Sequence, residues 1–394
     1  MIKQCTLLSP IQNFLEVESH PIGAASIAQV HKARLANGDR VVLKIQRPGI
    51  LQTIKDDLNV LYFLAELLHA YIPEARLFNP IGIVDEYFKT LDLETNFVVE
   101  ANNIRRFTRN FADEPQVKIP KVYFEFTSER VLVMEELSGI PLSASGALDQ
   151  PGVNAEELIR MGLKAYLKMV FRDGLFHGDL HAGNFFVLPD NRIGLIDFGV
   201  VGRLNSKTQS AIASMLIALA REDYERLAYE YIDLAPFTDK IQADLFARDL
   251  RNLIAPFHGL TLRNVNMGKI LLGSSAIASR HHLAVPTELM LFFKSLISVE
   301  GMGRRIHKDF DFLAYSLEFA GELVKHQYEP AKTLEEISRV ARDSQHLLKD
   351  LPRQIHFYLR KVNSPDHSTR LSIENLDDLK RGIEVSFNLL FLGI

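Results

Sequence analysis

The chain has 394 residues, of which 47% are hydrophobic and 24% charged, with a net charge of −4. That is the mix of an ordinary globular protein, long enough for one large domain or two modest ones, and its slight acidity gives no global reason to expect nucleic acid. The single cysteine, Cys5, excludes an internal disulfide framework and suits a reducing compartment.

The N-terminal MIKQCTLLSPIQN lacks a cationic segment followed by an apolar core, so no secretory signal is read. The apolar stretches around Leu58 to Leu68 and Phe387 to Ile394 are interrupted or shorter than the ~20 residues a membrane span requires. The chain stops as an apolar segment is beginning, an ending consistent with truncation.

Pro21 to His31, PIGAASIAQVH, carries the small residues Gly23, Ala24, Ala25 and Ser26. They let a backbone approach another group closely, and a phosphate is one candidate. Taken alone, a tight structural turn is the simpler reading. VHKARL and RVVLKI follow, joined through Asn37-Gly38, a strong hairpin signal because Asn-Gly supplies the positive φ of a tight turn. On the second strand Lys44 faces the same way as Val42, with Val41, Leu43 and Ile45 on the other side. An edge lysine snorkelling to water competes with a buried, paired one.

Two helical stretches separate this hairpin from a second, VYFEF (Val122 to Phe126) with RVLVME (Arg130 to Glu135), and the two hairpins suggest an antiparallel sheet. Leu93, Phe97, Glu100, Ile104 and Phe107 recur at helical spacing, which sets Glu100 in an apolar stripe. A carboxylate there is unfavourable unless a cation meets it, and Lys44 is the obvious candidate; a Glu bending out at the rim is the alternative. Glu94, beside the stripe, is a second acidic candidate.

After Pro151, Asn154 with Glu157 three positions on forms a capping pair for a helix running to Gly174. Phe176 to Val200 then parses as a loop, HGDLHAGN; a strand, FFVL; a turn, PDNR; a strand, IGLI; and Asp197-Phe198-Gly199. Such a hairpin brings Asn184, at the start of one strand, beside Asp197, at the end of the other. Asp179 and Asn184 have the D-x-x-x-x-N spacing of a kinase catalytic loop, and Asp197 opens a literal D-F-G. Hard oxygen ligands without cysteine suit Mg²⁺. His177 and His181 could suggest zinc, but no tetrahedral ligand set with a recognised spacing accompanies them. Each piece has a bland alternative. The ordered set is the kinase part list in kinase order: small-residue loop, Lys44, Glu100, Asp179 with Asn184, then Asp197.

At this point the sequence resembles the UbiB/AarF family of atypical kinase-like proteins, through PIGAASIAQVHKA, VVLKIQRPG, LETNFVVEANN, VLVMEELSGIPL, HGDLHAGNFF and LIDFGVVGRL. The likeness extends over roughly Ser19 to Arg305 and includes LAVPTELMLFFKSLISVEGMGRR. It implies an α+β, protein-kinase-like two-lobed fold: a small antiparallel-sheet N-lobe with extra helices over residues 1–137, a mainly α-helical C-lobe over 138–330, and a helical extension over 331–394. It also implies a nucleotide loop at Gly23, Ala24, Ala25 and Ser26, a strand lysine at Lys44 with Glu100 as its helix partner, and catalytic Asp179. Asn184 and Asp197 would bind metal, and an adenine-facing hinge would lie near Met134, Glu135 and Leu137.

Three departures stand out. The family's Glu-x-Asp motif reads Glu94-Thr95-Asn96, the loop starts Gly23-Ala24-Ala25 instead of with three alanines, and the Lys-x-Gly-Gln extension has no counterpart, since Lys3 and Gln4 lie too close to Gly23. In the resembled family that extension covers the active site against protein substrates.

VVGRL after Gly199 leaves little room for a peptide platform, because Asn205-Ser206 already looks like a helix cap, and His177-Gly178-Asp179 lacks the arginine that senses a phosphorylated activation loop. The expectation is therefore Mg²⁺-dependent ATP binding with hydrolysis or small-molecule phosphoryl transfer, supporting isoprenoid quinone (ubiquinone) biosynthesis. Alternatives are a small-molecule kinase of the aminoglycoside or choline type and a nucleotide-sensing scaffold with little turnover. Expected partners are ATP and ADP, with quinone-biosynthesis enzymes or lipid precursors beyond them, and no nucleic acid. In the tail, Ile212, Met215, Leu216 and Leu219 share a helix face that reads as core, whereas Arg353 to Lys361, RQIHFYLRK, reads as a solvated helix or a peripheral contact with an anionic membrane. The location expected is cytoplasmic, with such a contact at the inner membrane.

Overall fold

The computed structural model describes residues 14–24, 27–72, 80–235, 241–257, 267–306, 312–313 and 315–317. The chain divides into two compact units, Met1–His326 and Gln327–Ile394. All described residues lie in the first unit; the extension at 331–394 with Arg353 to Lys361, and within the first unit Cys5, Ala25 and Ser26, lie outside them.

Asn37 and Gly38 turn the first hairpin as their chemistry dictates. Gly38 has φ +94°, the Asn37 side chain accepts from the Asp39 N–H, and β3 (Ala28–Leu35) pairs with β4 (Arg40–Gln46) from Arg34↔Arg40 to Ala28↔Gln46. β1 (Phe14–Val17) and β2 (Gly23–Ala24) both pair antiparallel with β3. On its far side β4 pairs antiparallel with β6 (Val131–Glu135). Along β4, Val41, Leu43 and Ile45 join one buried cluster with Leu35, Val131 and Val133; Val42 joins the main core with Ala28, Leu132 and Met134. The expected alternation holds, and Lys44 sits on the Val42 side.

The second hairpin forms only in part. Val122 makes one bridge to Met134, and Phe124–Phe126 then coils into a 3₁₀ turn in place of a strand. Side chains take over the ladder there: the Thr127 hydroxyl accepts from Val133 N–H, and the Tyr123 hydroxyl donates to Asp39. Among the described residues the intervening helices number three instead of two: α1 (Ile50–Tyr71), α2 (Pro80–Thr95) and α3 (Phe97–Asn110). Asn96 makes the break, extended at φ −96° and ψ 102°, with its side chain accepting from Val98 N–H. The 3/4 spacing thus crosses a boundary: Leu93 belongs to α2, while Phe97, Glu100, Ile104 and Phe107 form the buried face of α3. Asn96, where the resembled family carries Asp, is a helix cap here, and Asn and Asp serve equally well in that position.

In the lower part, Asn154 caps α4 (Ala155–Lys168) by accepting from Glu157 N–H. The return half of the box runs through Asn191, which donates to the Glu157 carboxylate and accepts from Asn154 N–H. A π-turn, Met169–Asp173, follows and ends at Gly174, whose positive φ reverses the chain into β8 (Leu175–His177). β9 (Phe185–Leu188) and β10 (Arg192–Leu195) form the hairpin read from the sequence, flanked by β7 (Ile140–Pro141) and by β5 (Val117–Lys118), the latter parallel to β10. β11 (Val201–Arg203) pairs with β8.

Helices complete the unit: α5 (Ser206–Ala220), capped by Asn205 as expected, α6 (Tyr224–Leu234), α7 (Ala243–Ile254), α8 (Met267–Arg280) and α9 (Thr287–Ile306). Ile212, Met215, Leu216 and Leu219 are buried core. A buried carboxylate, Glu300, joins the last two helices by accepting from the Met267 and Gly268 amides at the start of α8 and from Arg304. Among the described residues no helix is long and apolar enough to cross a membrane.

Candidate functional site

β4 presents Lys44 toward α3, and its ammonium lies 2.9 Å from both carboxylate oxygens of Glu100 and 3.0 Å from Oδ1 of Asp197. It also stands 5.5 Å from the Phe97 ring centre. Three neighbouring contacts fix this meeting. The Gln46 side chain donates to the Thr95 carbonyl, tying the end of β4 to the α2–α3 corner. Asn103, buried on α3, donates to the Phe198 carbonyl at 3.0 Å. Phe198 is fully buried between Phe107, 4.7 Å away, and His177, 5.2 Å away. The helix carrying Glu100, the Asp-Phe-Gly segment and the catalytic-type loop are thereby one packed body.

Asp197 adopts φ +61°, a left-handed conformation that non-glycine residues rarely hold without a reason. Its carboxylate is half-exposed at 45%, against 3% for Glu100. One ammonium serves two carboxylates, and they share it unequally. Burial opposes ionisation of Asp197, but Lys44, acting by charge and by hydrogen bond, holds its carboxyl below the ordinary value. For Glu100 burial dominates, Lys44 compensates only in part, and the like charge of Asp197 adds to the cost, so its carboxyl is pushed up to about 7. Lys44 itself is held charged: burial works against it, and Glu100 followed by Asp197 outweigh that.

The loop below is tied through its own side chains. His177 is fully buried; its Nε2 is 3.0 Å from the Ile196 carbonyl, and its Nδ1 accepts from Asp179 N–H at 3.2 Å. These two contacts assign the neutral tautomer with the proton on Nε2. Burial depresses the imidazole pKa, in agreement. Asn184 donates from Nδ2 to the Asp179 carbonyl at 3.1 Å, and its own carbonyl accepts from Ile196 N–H at 3.1 Å, which sets it one residue from Asp197 across the hairpin. Its amide oxygen is left as an acceptor. Asp179 is half-exposed, with Lys294 Nζ 3.3 Å from Oδ1 and His181 Nε2 3.9 Å from Oδ2.

Gly23 and Ala24 are exposed on β2, and a Cβ at Gly23 would meet only Val30 Cβ at 4.0 Å. No packing clash therefore demands glycine there. In the hinge, Met134 is buried opposite Val42; Glu135 N–H donates to the Lys121 carbonyl and Glu136 N–H to that of Arg40. The acidic side chains there are held by cations, Glu135 by Lys118 and Glu136 by Lys32 and Arg40. Leu137 packs its Cδ1 against Gly194 of β10.

The structure thus joins Lys44, Glu100 and Asp197 directly and Asp179 to Asn184 through the loop backbone. No described contact links Gly23, Ala24 or the hinge to that cluster. Asn103, Lys294 and the tautomer-fixing role of His177 were missed by sequence reasoning; Asn103 stands inside the quoted LETNFVVEANN, where a polar residue on the buried face was the available signal.

Among the described residues no group of three or more His, Cys, Asp or Glu side chains could hold a metal. Asn184 and Asp197, which stand just outside the adjoining ends of β9 and β10, carry hard oxygen donors, an amide oxygen and a carboxylate. Together with the excess of carboxylate over ammonium, they fit a hydrated Mg²⁺ shared with phosphates.

A small antiparallel sheet over a helical body, with a strand lysine paired to a helix glutamate above a D-x-x-x-x-N loop and a D-F-G segment, defines the protein-kinase-like class. Residues 2–231 match the ABC1 atypical kinase-like domain, and residues 250–311 match the UbiB helical domain. The chain belongs to the ABC1/UbiB family of atypical kinase-like proteins. It is 33% identical over 89% of its length to a probable protein kinase UbiB of Marinobacter nauticus, and 36% identical over 80% to that of Sodalis glossinidius. It spans 65% and 58% of the lengths of those two relatives. In fold it is similar to the Rv3197–erythromycin complex from Mycobacterium tuberculosis, with a TM-score of 0.51 at 23% identity, covering 77% of this chain and 80% of that one.

Proposed function

We propose that this chain is a Mg²⁺-dependent ATP-binding atypical kinase or ATPase supporting isoprenoid quinone biosynthesis. The observation that carries the reading is the triad of Lys44, Glu100 and Asp197 at 2.9–3.0 Å, together with a loop that ties Asn184 to Asp179. The quinone pathway comes from membership of a family whose relatives carry the UbiB name.

Lys44, held by Glu100, meets the α and β phosphates of ATP. Asn184 and Asp197 would supply oxygen ligands to Mg²⁺, which would neutralise phosphate charge when bound. Asp179 orients the attacking water or acceptor hydroxyl. Small residues at Gly23 to Ser26 leave the phosphates backbone to approach, and the adenine meets the backbone from Met134 to Leu137. Phosphoryl transfer asks mainly for positioning and charge neutralisation, which this set provides.

The test is nucleotide stabilisation and turnover with and without Mg²⁺, in the intact chain and in Asp197→Asn. The expected outcome is Mg²⁺-dependent thermal stabilisation and hydrolysis of ATP, with the variant losing at least a hundredfold in turnover. Equal turnover by the two proteins would overturn the assignment.

A further inference from the structure

Lys294 lies far along the chain from the catalytic-type loop, in the helical region, yet its ammonium is 3.3 Å from Oδ1 of Asp179. The two side chains are 60% and 40% exposed, and an ion pair in that setting adds little to stability. Its placement is nevertheless heavily determined. α9 is anchored by buried Leu289, Phe292, Phe293 and Leu296; Phe292 meets Phe176 edge to face, and Ser295 is hydrogen-bonded to the buried Tyr166 hydroxyl. One turn before Lys294, Leu291 seats on the loop itself, where a Cβ on Gly178 would come within 3.0 Å of Leu291 Cδ1 and 2.9 Å of Val200 Cγ1. With any larger residue at 178, Val200 or Leu291 would have to give way, so Gly178 suits the close seat of α9 on the loop. A rigid helix holds a cation against one oxygen of the half-exposed carboxylate, while His181 stands 3.9 Å from the other.

We propose that Lys294 is a positioning residue for phosphoryl transfer: it fixes the Asp179 carboxylate through Oδ1 and leaves Oδ2 to receive the nucleophile, so that the helical region completes the active site. The proposal rests on the ATP-dependent reading above. In the step, the water or acceptor oxygen forms a new bond to the γ-phosphorus and its proton passes to Asp179 Oδ2. The bond from phosphorus to the bridging oxygen breaks, with its electron pair leaving on ADP. Lys294 makes no bond in this exchange. Its charge and its fixed position reduce the freedom of a carboxylate that otherwise turns toward solvent.

The experiment compares steady-state Mg²⁺-ATP turnover, ATP binding and thermal midpoint for the whole chain, Lys294→Ala and Lys294→Arg. The expected result is a loss of roughly tenfold to a hundredfold in kcat for Lys294→Ala, with KM for ATP and the thermal midpoint little changed and most of the rate recovered in Lys294→Arg. An unchanged kcat in Lys294→Ala, a loss carried by KM or by unfolding, or an arginine variant no better than alanine would each overturn the role of Lys294 while leaving the ATP-dependent reading intact. A wild-type chain that turns over no ATP overturns that reading and, with it, this proposal.

Discussion

Glu100→Gln should spare this protein the stability it loses between pH 4.5 and 8 while impairing it as an enzyme. The Glu100 carboxyl is raised from 4.5 to about 7, first by burial and then by the neighbouring Asp197, against which Lys44 compensates only partly. Between those values the folded chain keeps a proton that the unfolded chain has released. The contribution is therefore fully present below pH 4.5 and is lost as pH rises through 7. A span of about 2.5 pH units at about 1.4 kcal/mol each gives a cost of about 3 kcal/mol once the carboxylate is fully ionised. Gln has the same shape and no proton to lose, so the stability of the variant minus that of wild type should climb by about 3 kcal/mol from pH 4.5 to 8. Urea titrations of both proteins at pH 5, 6, 7 and 8 read this directly, and taking differences cancels the titrating groups that do not touch Glu100. Parallel profiles would refute the reasoning. Turnover should fall in the same variant, because Lys44 loses the partner that aims it; a buried pair of this kind costs stability and is kept for position.

His177 should behave with the opposite sign. Its pKa is depressed, so as pH falls below 6.5 the unfolded chain takes up a proton that the fold refuses, and stability drains by up to about 1.4 kcal/mol per pH unit. Nitrogen NMR of labelled imidazole should report a neutral ring protonated on Nε2 at pH 6; a ring titrating at 6.5 would contradict the assignment. Two glycine substitutions should also diverge. In Gly202→Ala the new Cβ would lie 2.1 Å from Cζ of the fully buried Phe176, and a loss of about 1–3 kcal/mol is expected in thermal or urea unfolding. Gly301→Ala, inside α9 with nothing within 4 Å, should gain about 0.5–1 kcal/mol in the same assay.

Local chemistry was the legible part of the sequence. The Asn37-Gly38 turn, the alternation along β4, the caps at Asn154 and Asn205 and the β9–β10 hairpin all depend on neighbours a few residues apart. The failures have equally physical causes. VYFEF has the composition of a strand, but Thr127 and Tyr123 offer the backbone side-chain partners that end the ladder early. Periodicity carried Leu93 into the stripe of Glu100 because a helix broken at Asn96 and restarted keeps nearly the same phase. Pairing Lys44 with Glu100 was possible from sequence since a buried carboxylate needs a cation. The contacts of Lys294 with Asp179, Asn103 with Phe198, and Glu300 with the start of α8 are tertiary: Lys294 and Glu300 read as ordinary solvated residues, and nothing local pointed from Asn103 or Asp179 to these partners.

β4 carries a hydrophobic cluster on each face, which restricts how this site can move. A strand held from above by Val41, Leu43 and Ile45 and from below by Val42 cannot shift toward either side without opening a cavity in the other. Lys44 is therefore the stationary point of the triad. Any opening or closing must be taken up by α3 together with the Asp-Phe-Gly segment packed on it, or by Asp197 alone, whose left-handed backbone has a lower-energy conformation to relax into. An inactive state of this protein would be recognised by a displaced glutamate or a turned aspartate, with the lysine where it is now.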